Sequence, residues 1–229
     1  MTKSKTNQLT HLMGRYFLIG AIAYSGFCNF AESKVKTPGI PADLKAVEEK
    51  YQKAQTLTAE FTQITEIAAT QQKKLTAGVV TLKQPNKIRW ETLQPEKNLL
   101  VSDGKTFWSY DPPFEKGDHG QVITRKTSQV QSRLASILLS GEFSQAKDMG
   151  IEESTPGHYI LLPKKGSGGS VLRAEIDVNP TKKLVEKITL EHEGGNHSTI
   201  TLTNIVLGEK IDDGMFTFVA PPDTDKVNQ

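Results

Sequence analysis

The sequence predicts a mainly β fold with a small helical part: an antiparallel sheet curled into a barrel or half-barrel, with two amphipathic helices laid over its open mouth. Three observations predict it. From Thr58 almost to the end, segments of about 5 to 10 residues with alternating polarity, bounded by Gly, Pro or Asn, follow one another. Only two stretches, near Asp43 and near Ser128, carry apolar residues at helical spacing. A chain of 229 residues has room for one sheet-rich domain of that kind.

In chain order, Lys3, Lys5 and Arg15 precede an apolar stretch from Tyr16 to Phe30, and no acidic residue occurs before Glu32. This predicts a signal peptide over 1–31 and an exported single domain over 32–229. The apolar stretch is broken by Ser25, Gly26 and Asn29 and falls short of the roughly 20 residues that span a bilayer. Cleavage is expected after Ala31, with Ala23 as the alternative. Cys28 is the only cysteine, so a cut after Ala31 leaves a chain without thiol or disulfide, held by its core alone. Phe27, a bulky residue directly before Cys28, argues against lipid attachment there. Three of the 28 basic residues and none of the 26 acidic ones lie in the leader. The exported part is therefore close to neutral with mixed signs, which argues against nucleic acid as a partner.

The first helix is expected from Asp43, placed as N-cap, with Leu44, Val47, Tyr51 and Ala54 on one face and Lys45, Glu48, Glu49 and Lys53 toward solvent. Strands are expected at Thr58–Glu66, Leu75–Leu82, Lys87–Thr92, Asn98–Ser102, Lys105–Tyr110 and Gln121–Arg125. The second helix lies in "SQVQSRLASILLSGEF": Val130, Leu134, Ile137 and Leu138 share a face, Leu139 widens it, Ser128 caps the start and Gly141 falls past the end. Further strands are expected at Ile151–Ser154, His158–Leu162, Val171–Val178, Lys183–His192, Ser198–Val206 and Phe216–Val219. In "NLLVSDGKTFWSY", Asp103-Gly104 suits a two-residue hairpin turn. That register sets Leu100 opposite Phe107 on one side of the ribbon, and Leu99, Val101, Trp108 and Tyr110 on the other. Both sides are apolar, so either this is a central strand in a sandwich core, or one side faces a concave interior and the other is covered by another segment of chain.

Catalytic motifs are missing. Gly104-Lys105-Thr106 ends like a phosphate loop, but Leu99 stands where the first glycine belongs and a strand follows instead of a helix. There is no Gly-x-Ser-x-Gly elbow. Glu191, His192, Glu193 and His197 in "EHEGGNH" could converge on a zinc-like ion across a turn. Two histidines on a surface hairpin are more often a polar turn, so neither a metal, a cofactor nor a catalytic residue is assigned.

"EFTQ" at Glu60–Gln63, "QPNKIRW" at Gln84–Trp90, "QPEKNLLVSDGKTFWSYDP" at Gln94–Pro112, "ASILLSG" at Ala135–Gly141 and "GMFTFVAPP" at Gly214–Pro222 resemble, in the same order, the periplasmic outer-membrane lipoprotein carrier family, LolA. The resemblance implies an unclosed antiparallel half-barrel covered by a helical lid. It implies a monomeric, non-enzymatic periplasmic chaperone that takes acylated lipoproteins from an inner-membrane ABC transporter complex to an outer-membrane receptor, burying their acyl chains in a hydrophobic cavity. Carried over residue by residue, it places Leu57, Ala59, Phe61, Ile88, Trp90, Leu100 and Phe107 on the cavity side. Leu44, Val47 and Tyr51 fall on one lid helix, and Leu134, Ile137, Leu138 and Leu139 on the other. The family commonly has an arginine where this chain has Gln84, at the lid latch; glutamine lacks the charge and the five-donor fork. Lys83, Lys87 or Arg89 are the alternative latches. An outer-membrane-anchored receptor or a lipid-sensing periplasmic regulator of the same fold is the rival reading.

Overall fold

The structure is a computed structural model and describes residues 39–115, 117–127, 137–138, 140–164 and 169–228. The expected leader with Cys28, and Ser128, Val130, Leu134 and Leu139 of the second helix, lie outside the described residues.

Helix α1 runs over Ala42–Ala54 and buries Leu44, Val47 and Tyr51 as their spacing requires. Its N-cap is Pro41 and not Asp43. Asp43 lies inside the first turn, where its carboxylate meets Lys183 Nζ at 2.8 Å instead of a backbone amide. A second correction concerns Glu48, expected at the solvent side but buried. It is four residues after Leu44 and so falls on the buried stripe. At the far end, Gln55 takes the left-handed conformation (φ 66°) and donates to the Tyr51 carbonyl.

Twelve strands follow: β1 (Thr56–Ile67), β2 (Gln72–Lys83), β3 (Lys87–Gln94), β4 (Asn98–Ser102), β5 (Thr106–Asp111), β6 (Gly120–Lys126), β7 (Met149–Thr155), β8 (His158–Pro163), β9 (Val171–Asn179), β10 (Leu184–His192), β11 (His197–Leu207) and β12 (Thr224–Asn228). They form one sheet in the order β12-β6-β5-β4-β3-β2-β1-β11-β10-β9-β8-β7. Two meanders thus meet where β1 pairs with β11, and the edges β12 and β7 do not join. Residues of β1 and β3 share a single hydrophobic cluster with residues of β8, β9 and β10, so the sheet curls around its contents without closing.

The expected final strand at Phe216–Val219 is not formed. Asp213–Phe216 is a 3-10 turn, and the last strand appears only after Pro221-Pro222, two residues that cannot donate to a ladder. That strand, β12, pairs in parallel with β6, whereas the other strand pairs among the described residues are antiparallel.

The β4–β5 hairpin also corrects the expected register. Ser102 pairs with Phe107, Val101 with Trp108, Leu100 with Ser109 and Leu99 with Tyr110. The turn lies one residue further on because Asp103 Oδ1 accepts from the amides of both Lys105 (2.8 Å) and Thr106 (2.7 Å). An aspartate that satisfies two turn amides belongs before the loop, which leaves Gly104 (φ 95°) and Lys105 at its tip. A shift of the pair sum by two preserves the faces, so Leu100 and Phe107 still share a side, although they are no longer opposite each other.

The other side of these strands is covered by the C-terminal segment. Phe216, Val101 and Val122 are buried outside the main cluster, and the rings of Tyr110 and Phe218 lie 4.9 Å apart. Lys83 and Lys87 grip Asp213 at 2.7 and 2.9 Å, and Lys83 also donates to the Ile211 carbonyl at 2.7 Å. The two lysines hold the Asp213 carboxyl at about 2, below the ordinary 3.8. A depressed carboxyl stabilises the fold above its unfolded pKa and loses that contribution as pH falls through the folded value. The segment should therefore loosen between about pH 4 and the Asp213 midpoint. Carboxyl titration by NMR checks this, and Lys83→Met with Lys87→Met should return Asp213 to the ordinary range.

Candidate functional site

On the concave side, β1 supplies Leu57, Ala59 and Phe61 at alternate positions, all buried. Cross-strand pairing sets Val80 against both Ala59 and Trp90, and Trp90 against Leu100. The rings of Phe61 and Trp90 meet with centroids 4.1 Å apart. Gly78 permits that contact: a Cβ there would lie 1.9 Å from the Glu91 carbonyl oxygen and 3.0 Å from the Phe61 ring. Ile88 and Leu100 pack on this cluster half-buried. Beyond them the face turns polar, with Ser102 and Thr127 hydroxyls bonded at 2.9 Å.

The helical cover belongs to the same cluster. Leu44, Val47 and Tyr51 from α1, and Ile137 and Leu138 from the second helical segment, are buried together with Leu57, Ala59, Phe61 and Trp90. That segment ends as expected: the Gly141 amide bonds the Ile137 carbonyl at 2.8 Å, and Gly141 takes φ 70°. Gly141 lies against the Tyr51 ring, 2.6 Å from where its own Cβ would stand. Burial pushes the Tyr51 hydroxyl up to about 12.

Phe107 differs from the other cavity positions. It is only half-buried and lies outside the cluster, between Ser102 and Arg125 on the neighbouring strands. Gln84 reaches α1: its amide donates to the Gln55 carbonyl at 2.9 Å, and its side-chain oxygen lies 3.4 Å from Gln55 Nε2. Among the described residues, the partners of Lys83, Lys87 and Arg89 lie away from α1. At odd positions of β2 and β3 they project from the outer face, the lysines toward Asp213 and Arg89 toward Glu91 at 3.1 Å.

The second meander, whose strands the sequence marks without assigning any of their residues to the cavity, contributes Tyr159, Leu161, Ala174, Ile176, Val178, Val185, Ile188, Ile200 and Leu202 to the same core. Their strict alternation, as in Ala174, Ile176 and Val178, carried the signal. Between β10 and β11 the ladder stops at Lys187 and Thr201, although β11 continues to Leu207 along β1. There the Val185 amide donates to the Tyr51 hydroxyl at 3.1 Å. An opening of about 540 Å³ results, lined by Leu184, Leu202, Ile205 and the polar side chains of Lys182, Glu186, Thr201, Thr203 and Asn204. Among the described residues no three His, Cys, Asp or Glu side chains gather to hold a metal, so the "EHEGGNH" cluster does not converge.

This arrangement offers apolar surface shared between a curved sheet and a helical cover. Comparison with known proteins agrees with it. The family model described as outer membrane lipoprotein carrier protein LolA matches residues 52–219. The outer-membrane lipoprotein carrier protein of Azotobacter vinelandii is 30% identical over 178 residues, covering 77% of this chain and 84% of the relative. That of Pseudomonas syringae pv. syringae is 27% identical over 216 residues, covering 94% and 98%. Among solved structures, a LolA superfamily protein from Nitrosomonas europaea aligns with a TM-score of 0.42 at 11% identity, over 76% of this chain and 97% of that one. With the matched region running from the last turn of α1 to Val219, which is most of the chain, the chain belongs to the outer membrane lipoprotein carrier protein LolA family.

Proposed function

We propose that this protein is a periplasmic, monomeric lipoprotein chaperone of one exported domain, 32–229. In this reading it carries acylated lipoproteins between an inner-membrane ABC transporter complex and an outer-membrane receptor, and turns over no substrate. The observation that carries the reading is the single apolar cluster built jointly by the helical cover and the concave strands. Each methylene brought into water costs about 0.8 kcal/mol, so three long acyl chains amount to tens of kcal/mol and cannot cross an aqueous compartment bare. The carrier substitutes for the membrane by letting acyl chains replace the cover's side chains against Leu57, Phe61, Ile88, Trp90 and Leu100. When empty, the cover returns to those positions and leaves no large void. Because the cover competes with cargo for one surface, binding stays weak enough for handover.

Purification of the protein from the periplasm should yield a lipoprotein bound in stoichiometric amount, with its acyl chains required for binding. Recovery free of lipoprotein, or equal affinity for a delipidated cargo, overturns the reading. Leu100 gives the finer test, since it is half-buried at the border of the cluster. Leu100→Glu should weaken binding of a triacylated lipopeptide by about tenfold or more, because its charge must be desolvated beneath acyl chains. The empty protein should lose less, since the substituted carboxylate can reach water from that border.

A further inference from the structure

Glu48 is a carboxylate on the buried face of the lid. It is 5% exposed, between Val47 and Tyr51 on the stripe that packs into the apolar cluster. Among the described residues no lysine, arginine or histidine pairs with it, and hydrogen bonds satisfy it. Oε2 accepts the Ser144 backbone amide at 3.0 Å, and Oε1 accepts both the Ser144 hydroxyl and Gln52 Nε2, the latter at 3.1 Å. A buried, unpaired carboxylate is costly without such partners. Two of its three partners belong to one residue across the lid, so it is satisfied only while α1 sits against the turn that carries Ser144.

That turn continues directly from the second helical segment. Ile137 and Leu138 enter the cluster, Gly141 ends the segment against Tyr51, and Phe143 is fully buried just before Ser144. Gln84 holds α1 by its C-terminal end; Glu48 holds it by its middle, from the other half of the cover. We propose that Glu48 and Ser144 form the clasp between the two halves of the lid, and that this clasp sets the rate at which the cover parts to load and release acyl cargo. Hydrogen bonds are directional and weaken steeply with distance, so a small separation of Ser144 from α1 breaks both of its bonds together and admits water to the carboxylate. The lid then has a closed and an open state and not a continuum. The proposal rests on the carrier reading for its cargo, but the opening it describes is a property of the empty protein as well.

Ser144 is exposed, so its substitution tests the clasp without carving the core. Ser144→Ala removes the hydroxyl donor to a charged acceptor. It should accelerate hydrogen exchange of the α1 amides, and release of a fluorescent triacylated lipopeptide, by about tenfold. Ser144→Thr, which keeps the hydroxyl, should stay within about twofold of the parent. Exchange in the centre of β1 should be unchanged in both variants, which separates opening of the lid from a general loss of stability. If Ser144→Ala leaves α1 exchange and lipopeptide release at parental rates, or if Ser144→Thr is as fast as Ser144→Ala, the clasp is refuted. If the parent protein itself binds no lipopeptide, the carrier reading fails, and α1 exchange alone decides the clasp.

Discussion

Phe61→Ala is expected to lower the free energy of unfolding by about 3–5 kcal/mol, the range for removing a fully buried phenylalanine from a core. Phe61 is 2% exposed, and its ring is held from two directions. Trp90 lies against one side at 4.1 Å. Gly78, a residue that can bear no side chain so close to the Glu91 carbonyl, backs the other. Because β2 is hydrogen-bonded to β1 on one side and β3 on the other, the backbone around Gly78 cannot collapse easily into the vacated space. The cost should therefore fall toward the upper end of the range, with Phe61→Leu well below it. Urea unfolding followed by Trp90 fluorescence measures both. The same substitution removes surface that acyl chains would cover, so lipopeptide binding should weaken together with stability.

Phe216→Ala is expected to cost a similar amount, about 3–5 kcal/mol, for a reason on the opposite face. Phe216 is fully buried but stands outside the main cluster, in the C-terminal segment that covers the outer side of β3 to β6. Its anchors are the Asp213 ion pairs and the Tyr110–Phe218 contact. Asp213 is the exposed partner of both pairs, so they hold the segment less strongly than burial of an aromatic ring does. Burial of Phe216 is thus the main attachment of the segment, and its loss should also free β12 from β6, read as faster exchange at 224–228. Lipopeptide affinity should remain near that of the parent, because the concave face is untouched. A loss of stability without loss of binding for Phe216→Ala, set beside a loss of both for Phe61→Ala, would assign the two faces of one sheet to different tasks. Equal loss of lipopeptide affinity in both variants contradicts that assignment.

Most of the local structure was legible in the sequence because it is set by periodicities that individual residues carry. Alternation marked the strands to within a few residues, and helical spacing marked Leu44, Val47 and Tyr51 as one buried face. The apolar character of both sides of the β4–β5 ribbon announced a partner for each, and each has one: Leu100 packs on the main cluster, and Tyr110 meets Phe218 of the C-terminal segment. Errors came where a side chain acts on a backbone group next to it. Asp103 moved a turn by one residue through two hydrogen bonds. Pro221 and Pro222 delayed the last strand until Thr224. Glu48 was misplaced for a related reason: a charge normally signals solvent, and on a buried stripe it signals a partner the stripe itself does not reveal.

Determined by the sequence alone were the mainly β class, the succession of α1 and the strands up to β11, the buried face of α1 and the family. These follow from local periodicity and from motifs that are contiguous in the chain. Tertiary structure alone decided that β1 joins β11 and holds two meanders in one unclosed sheet, that Leu100 stands against Trp90 and not Phe107, and that Glu48 meets Ser144. The physical reason is distance along the chain. Glu48 and Ser144 are 96 residues apart, and no spacing rule records which buried polar group will satisfy another until the curl of the sheet has brought both to the same place.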